Sequence, residues 1–322
     1  MLRFVLFRLL HAIPLLIAVI LVILLMLQFI PGDPVQAMVG DFPVSPEFRA
    51  AITQQYHLDD PFPVRVYSYF VNLLHGDFGY SYQFQRPVWD LIAESAPRTI
   101  LLTLVGFLIA VPFGVLVGTV SGTTRSSRVD HFWTSTALVA YAIPTFWLGQ
   151  LLVLVLAVHL GWFPTQGMGP LVSRAHGLSW FLERAHYIAL PALAFAVHEG
   201  TRFARIMRAS VADTLGQGYI VTARAKGLSR GAIIRGHVLR NSSLPLVTVA
   251  GYAFGAALGG AVLLETVFTW PGLGLLLVQA VRMRDNMTVV GIVIFAAIAV
   301  VVINLLVDLL YAALDPRIRG RG

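Results

Sequence analysis

Cysteine is absent from the 322-residue chain, so it can build no disulfide framework, thiol nucleophile or thiolate metal site. Charge is scarce: Asp, Glu, Lys and Arg make up 12% of the residues, against about 25% in an ordinary soluble domain. Lysine is reduced to Lys226 alone. No G-x-x-x-x-G-K-[ST] loop exists, and that one lysine sits in Ala-Lys-Gly, so the chain should not hydrolyse a nucleotide itself. A G-x-S-x-G elbow and an H-E-x-x-H pair are also missing, and no acid–base pair falls inside an apolar run, which argues against an embedded hydrolase. The nine histidines are scattered, with no i, i+4 pair inside an apolar run, so no metal centre is expected.

What the chain has instead is apolar surface. Hydrophobic residues reach 57% and mean hydropathy is +0.77, the composition of a protein whose solvent is lipid. Runs of about 20 apolar residues recur, each long enough to cross a ~30 Å hydrocarbon core as a helix. The expected fold class is an all-α integral membrane protein with six transmembrane helices, near residues 9–30, 99–120, 132–160, 187–203, 244–264 and 287–314. Arg3 and Arg8 before the first run resemble a signal peptide, but the run is too long and no small-residue cleavage site follows, so a retained span is expected. Pro144 falls inside the third span. Residues 31–98 are polar and aromatic, with short helices expected near 46–57 and 62–74.

The net charge of +7 could suggest nucleic acid, yet it is also what an excess of arginine on one membrane face produces. With the N-terminus inside, the inner segments hold fifteen of the 23 Lys and Arg. Setting aside the long first loop, which translocates largely regardless of charge, the outer segments hold four. Both termini are therefore expected inside.

One stretch, 219–245, is a polar island. It contains Arg224, Lys226, Arg230, Arg235, His237 and Arg240. Residues 219–226 have no helix breaker, Gly227 stands where a C-cap glycine would, and Ser229 can cap a second helix over about 230–240. The expectation is a helix, a turn and a helix along the inner membrane surface. Ala223 and Gly227 share a face and would leave a shallow spot for another backbone, with Arg224 and Lys226 at its edge. From periodicity alone, an amphipathic loop resting on anionic lipid fits equally well.

The island resembles the coupling-loop motif of bacterial ABC importer permeases: Glu-Ala-Ala, three residues, Gly, nine residues, then Ile-x-Leu-Pro. Val221, Thr222, Ala223, Arg224, Ala225, Lys226 and Gly227 take its first part, with Val221 in place of the Glu. His237, Leu239 and Arg240 take the positions of Ile, Leu and Pro. Those departures are similar to the dipeptide, oligopeptide and nickel branch. So are FIPGDP (29–34), GDFGYS (76–81), IPTFWLG (143–149), ETVFTWPGLG (265–274) and NLLVDLLYAALDPRIR (304–319), in that order along the whole chain. The long loop after span one resembles the first of the two permeases in such systems.

The resemblance implies a type I importer permease fold (MetI-like). It comprises an N-terminal helix (1–31), an extracytoplasmic segment (32–94), a permease domain (95–312) with its coupling loop near 204–243, and a basic cytoplasmic tail (313–322). It implies a multi-pass protein of the bacterial inner membrane that moves peptides or similar small solutes by alternating access. It also implies a second permease, two cassette ATPases that bind the ATP and Mg, and an extracytoplasmic substrate-binding protein. This chain would be non-catalytic and carry no cofactor. Tyr219, the 221–227 segment, His237, Arg240 and Asn241 would couple the chain to the ATPase, 221–227 as the contact and 237–241 as the support leading into span five. Gly227→Asp, or a bulky residue at Ala223, is then expected to uncouple transport without blocking membrane insertion.

Asn304 and Asp308, one helical turn apart, could line the path, face the sister permease or serve structure near the inner interface. Glu265 could meet the binding protein or cap a turn. Cargo stays open among peptides, nickel chelates, glutathione and sugars. A secondary transporter independent of any ATPase would instead call for coupling charges in several spans or an inverted repeat; only Asp308 comes close, and the two halves show no repeat.

Overall fold

The computed structural model describes residues 2–28, 35, 45–55, 60–124, 126–170 and 175–314. The FIPGDP motif, Arg125 and the basic tail from 315 lie outside them. Three helices come first: α1 (Leu2–Gln28), α2 (Pro46–Gln55) and α3 (Phe62–Leu74). A two-residue hairpin follows, β1 (Tyr80–Ser81) antiparallel to β2 (Arg86–Pro87) with Tyr80 opposite Pro87. The rest is helical: α4 (Val88–Thr123), α5 (Ser127–Ala142), α6 (Thr145–Leu152) running into a π-helical segment (Val153–His159), and α7 (Leu178–Leu215). Then come α8 (Gly218–Ala225), α9 (Arg230–Ile233), a second π-helical segment (Ile234–Val238), α10 (Leu239–Gly260), α11 (Val262–Val267), α12 (Leu273–Arg282) and α13 (Asn286–Leu314).

The bundle is organised on the pairing of α4 with α7. Gly106, Ala110, Gly114, Gly118 and Gly122 recur every fourth residue, so they form one smooth stripe along α4. Small residues of this kind let membrane helices approach until backbones touch. A Cβ added at Gly118 would stand 2.6 Å from the Ala204 carbonyl oxygen, so any larger residue there must force α7 away. The other side of α4 exposes Leu108, Leu116 and Val120. Phe107 fills the layer above the stripe, its ring 5.3 Å from those of Phe195 and Phe254 and 5.8 Å from that of Phe203. The same core continues through Met207 and Val211 to Ile220, Ala223, Ile233 and Val238. The polar island is thus built onto the core of the long helices.

Among the described residues, two helices, Val88–Thr123 and Asn286–Leu309, are long and apolar enough to cross a membrane; a bent pair, Arg128–Ala142 with Thr145–His159, makes a third if taken as one span. The expected straight third span is corrected. Ile143 is extended (φ −73°, ψ 123°) ahead of Pro144, which cannot donate a backbone hydrogen bond, and the two halves meet at 96°. The expected spans two and four are also too short. α4 begins at Val88, and α7 runs 38 residues, or ~57 Å at 1.5 Å per residue. Arg202, Arg205 and Arg208 stand on this helix alongside the buried Phe203 and Met207.

Candidate functional site

The C-terminal end of the short helix α8 is closed by its own sequence. After Ala225, Gly227 adopts φ +79°, the left-handed region that glycine enters without a Cβ penalty. Its N–H donates to the Arg224 carbonyl (2.9 Å) and the Leu228 N–H to the Ala223 carbonyl (3.3 Å), a Schellman closure. Ser229 then accepts from the Ala232 N–H (3.3 Å) and starts α9.

α8 has two faces. Ile220 and Ala223 are buried in the common core; Tyr219, Val221, Thr222, Arg224, Ala225 and Lys226 face outward, Val221 at 60% exposure. Placing Ala223 at a shallow docking spot is therefore corrected: that side chain faces its own protein, and a bulky residue there would disturb the core as well as any docking. A Cβ at Gly227 would meet nothing within 4 Å, so this glycine serves the turn and not a close approach. The second helix of the island is corrected too, because α9 passes through its π-helical segment straight into α10.

Five polar contacts hold the island, two within it and three to the bundle. The Asn241 amide donates to the Tyr219 hydroxyl (2.9 Å) and the His237 carbonyl (3.1 Å). The wholly buried Ser242 hydroxyl lies 3.0 Å from Thr214 Oγ1 and 3.1 Å from the Ser210 carbonyl of α7. The Arg230 guanidinium donates to the carbonyl of Thr123, the last residue of α4. Of the expected site residues, Tyr219, His237 and Asn241 are thus brought together, while Arg240 is exposed. Ser242, Thr214 and Arg230 are the ties that sequence reasoning missed; short hydroxyl side chains in membrane helices were the only available signal.

At the opposite end, two buried carboxylates cap helices. Glu265 is fully buried and accepts from Thr99 Oγ1 (2.6 Å) and from the Gly274 and Leu275 N–H groups (2.7 and 3.1 Å) in the first turn of α12. Thr99 in turn accepts from the Leu273 N–H at 2.8 Å. Burial pushes the Glu265 carboxyl above its ordinary range, opposed by these donors. A binding-protein contact through Glu265 is corrected: the side chain has no exposed face and is an internal cap. Asp285, also fully buried, accepts from the Thr288 N–H (3.2 Å), the Thr288 hydroxyl (2.6 Å) and the Ser81 hydroxyl. It opens α13 and pins the hairpin to it. The Asp-x-x-Thr spacing ahead of an apolar run was the readable signal for that cap.

The Asn304 amide lies where α13 crosses α10, since a Cβ at Gly255 would sit 3.5 Å from its oxygen. Asp308 is half-buried on the same helix. Among the described residues, no group of three or more His, Asp or Glu could hold a metal ion.

Comparison with known proteins finds relatives along the chain's whole length. Residues 110–320 match the family described as binding-protein-dependent transport system inner membrane component, and residues 1–103 match its N-terminal counterpart. The oligopeptide transport system permease protein AppB of Bacillus subtilis is 36% identical over 319 residues, covering 99% of each chain. The dipeptide transport system permease protein DppB of Escherichia coli K12 is 36% identical over 338 aligned positions, covering 100% of each. Among solved structures, the inward-facing MetNI methionine ABC transporter matches with TM-score 0.54 at 19% identity, over 70% of this chain and 96% of that one. That likeness shows the fold.

Proposed function

The chain belongs to the family of binding-protein-dependent transport system inner membrane components, and from that membership we propose that it is the permease of an ATP-driven importer for dipeptides, oligopeptides or similar small solutes. The names of its full-length relatives support the peptide cargo. Separate ATPase subunits bind the ATP and Mg and do the hydrolysis; this chain is not an enzyme. A sister permease completes the path, and an extracytoplasmic binding protein delivers the cargo. The chain crosses the inner membrane six times with both termini in the cytoplasm, and the arginine distribution supports that orientation.

The observation that carries the reading is α8, a helix exposed on one face and built into the core on the other. ATPase subunits grip Tyr219, Val221, Thr222, Arg224 and Lys226. Closing of the ATPase pair moves α8, and the ties at Ser242, Asn241 and Arg230 pass that motion to α7, α10 and α4. Because a contact equal in both states shifts nothing, the grip must differ between the inward and outward forms.

Val221→Arg tests this. Val221 is exposed, so the variant should insert and fold, yet a bulky unpaired guanidinium buried in the docked state, opposite in charge to the Glu of the motif at this position, costs several kcal/mol. The ATPases encoded alongside the chain should no longer co-purify with it, and uptake should fall to background. Normal co-purification and uptake would sink the docking face. Uptake by the chain in vesicles without any ATPase would favour the secondary transporter. Identifying the ligand of the binding protein encoded with it settles the cargo.

A further inference from the structure

Between α4, α5 and α7, near the end of α4 that leads to Thr123, lies a cavity of about 610 Å³. Arg202, Arg205 and Arg208 line it from α7, with Trp133 and Tyr141 from α5. The three cations are not equivalent. Asp130 takes Arg208 in a two-point pair, 2.7 Å from Nε and 2.6 Å from Nη2, and Ser121 holds that carboxylate at 2.6 Å. Arg202 sits 3.5 Å from Glu199, a loose pair on its own helix. Arg205 is exposed, its guanidinium 5.5 Å from the centre of the Tyr141 ring, and among the described residues no carboxylate pairs with it. The cavity therefore holds one cation neutralised, one partly so, and one available.

Its depth and surroundings say what such a cation faces. Gly118 and Ser121 line it within the last two turns of α4, where a membrane helix leaves the hydrocarbon core. Trp and Tyr side chains concentrate at that level. Next in sequence to the lining residues Val117, Ser121 and Ala137, Leu116, Val120 and Leu138 present exposed apolar surface on the flanks of α4 and α5. Arginine forks match the two free oxygens of a phosphodiester, and basic pockets between membrane helices are suited to anionic headgroups.

We propose that this cavity seats the phosphate of an anionic phospholipid, held by Arg205 and Arg202, with its acyl chains along the apolar flanks of α4 and α5. The lipid bridges α5 to α7, adding to the Asp130–Arg208 pair and the Tyr141–His198 stack. Asp130 keeps Arg208 out of the site and fixes the wall. The Tyr141 ring, stacked on His198 at 5.2 Å, holds the Arg205 side chain over the opening.

The intact transporter complex, reconstituted in phosphatidylcholine bilayers with or without phosphatidylglycerol, tests this by native mass spectrometry of the phospholipid retained after detergent exchange. The wild type should retain phosphatidylglycerol. Arg202→Gln with Arg205→Ala should lower that retention about tenfold while phosphatidylcholine retention stays the same. Arg205→Lys, which keeps the charge and loses the fork, should fall by about threefold or less. If the double variant does not assemble, Tyr141→Leu carries the test, with an expected loss of about twofold to threefold. Unchanged retention in these variants overturns the proposal. So does displacement of the lipid by inorganic phosphate, which assigns the site to a soluble anion. A loss of uptake confined to peptides with free carboxylates, at unchanged lipid retention, assigns it to cargo.

Discussion

At Gly227 a single backbone angle closes α8 and frees the chain to turn into α9. A Cβ there meets no neighbour, so substitution acts only through the left-handed φ of +79°. For a residue other than glycine that conformation costs about 1 kcal/mol, somewhat less for Asn, which enters it more readily. Gly227→Ala should therefore reduce ATP-driven uptake about fivefold at an unchanged amount in the membrane, with Gly227→Asn between it and the wild type. Equal uptake by all three would mean that the turn does not set the presentation of α8. The sequence did identify Gly227 as a cap, because its place after a breaker-free run is a local signal. It did not say which face of so short a helix turns inward, since Ile220 and Ala223 are buried by residues far along the chain. Glu265 is legible in the same partial way, as a polar residue at the end of an apolar run whose donors, Thr99 and the start of α12, only the fold supplies. A carboxyl with a raised pKa binds its proton more tightly in the folded protein than in the unfolded one. Stability should therefore fall as pH rises from about 4.3, the ordinary value, towards the raised one. Glu265→Gln, which does not titrate, should flatten that fall in thermal unfolding measured from acid to neutral pH. Parallel profiles would mean that the three donors hold the carboxylate in its usual range.

Among the elements, the α4–α7 pair sets the stiffness of the bundle. Its stripe of small residues at a spacing of four is written in the sequence, but a glycine in an apolar run reads equally as a packing site or as a weak point of a helix. The structure separates the two, because α7 runs against every step of the stripe. Gly118→Val should be destabilising by about 2–4 kcal/mol, seen as a lower unfolding midpoint and less protein in the membrane. Gly218→Val is the control: Gly218 lies on exposed α8 with open space around it, and the loss there should stay below about 1 kcal/mol. Equal losses at the two positions would deny the stripe its role. The break at Pro144 follows the same pattern of partial legibility. Its proline is plain in the sequence, but membrane helices often absorb one, as α4 does at Pro97 and Pro112. The extended Ile143 is what turns the chain through 96°.

Across the whole molecule, one mechanical path joins α8 to the opposite end. Ser242 ties α10 to α7 beside the island; α7 lies along the stripe of α4; and at the far end of α4 Thr99 holds Glu265 while the Arg98 carbonyl accepts from the Trp270 indole at 2.9 Å. Every link is a short polar contact or a close helix packing, so a displacement of α8 is not dissipated in loose side chains. The sequence shows the two termini of this path as motifs, and it hides the middle, whose α4–α7 contacts join residues more than 80 positions apart. The path separates gripping from transmission. Ser242→Ala leaves the outward face of α8 untouched and removes both contacts of that buried hydroxyl, together worth about 1–3 kcal/mol. The ATPases should still bind and hydrolyse ATP at nearly the wild-type rate, while solute moved per ATP falls about twofold to fivefold. Val221→Arg should lose ATPase binding and uptake together. If Ser242→Ala also released the ATPases, the tie would belong to docking; if it changed neither quantity, motion would reach α7 through the apolar core of Ile220, Ala223 and Val211 alone.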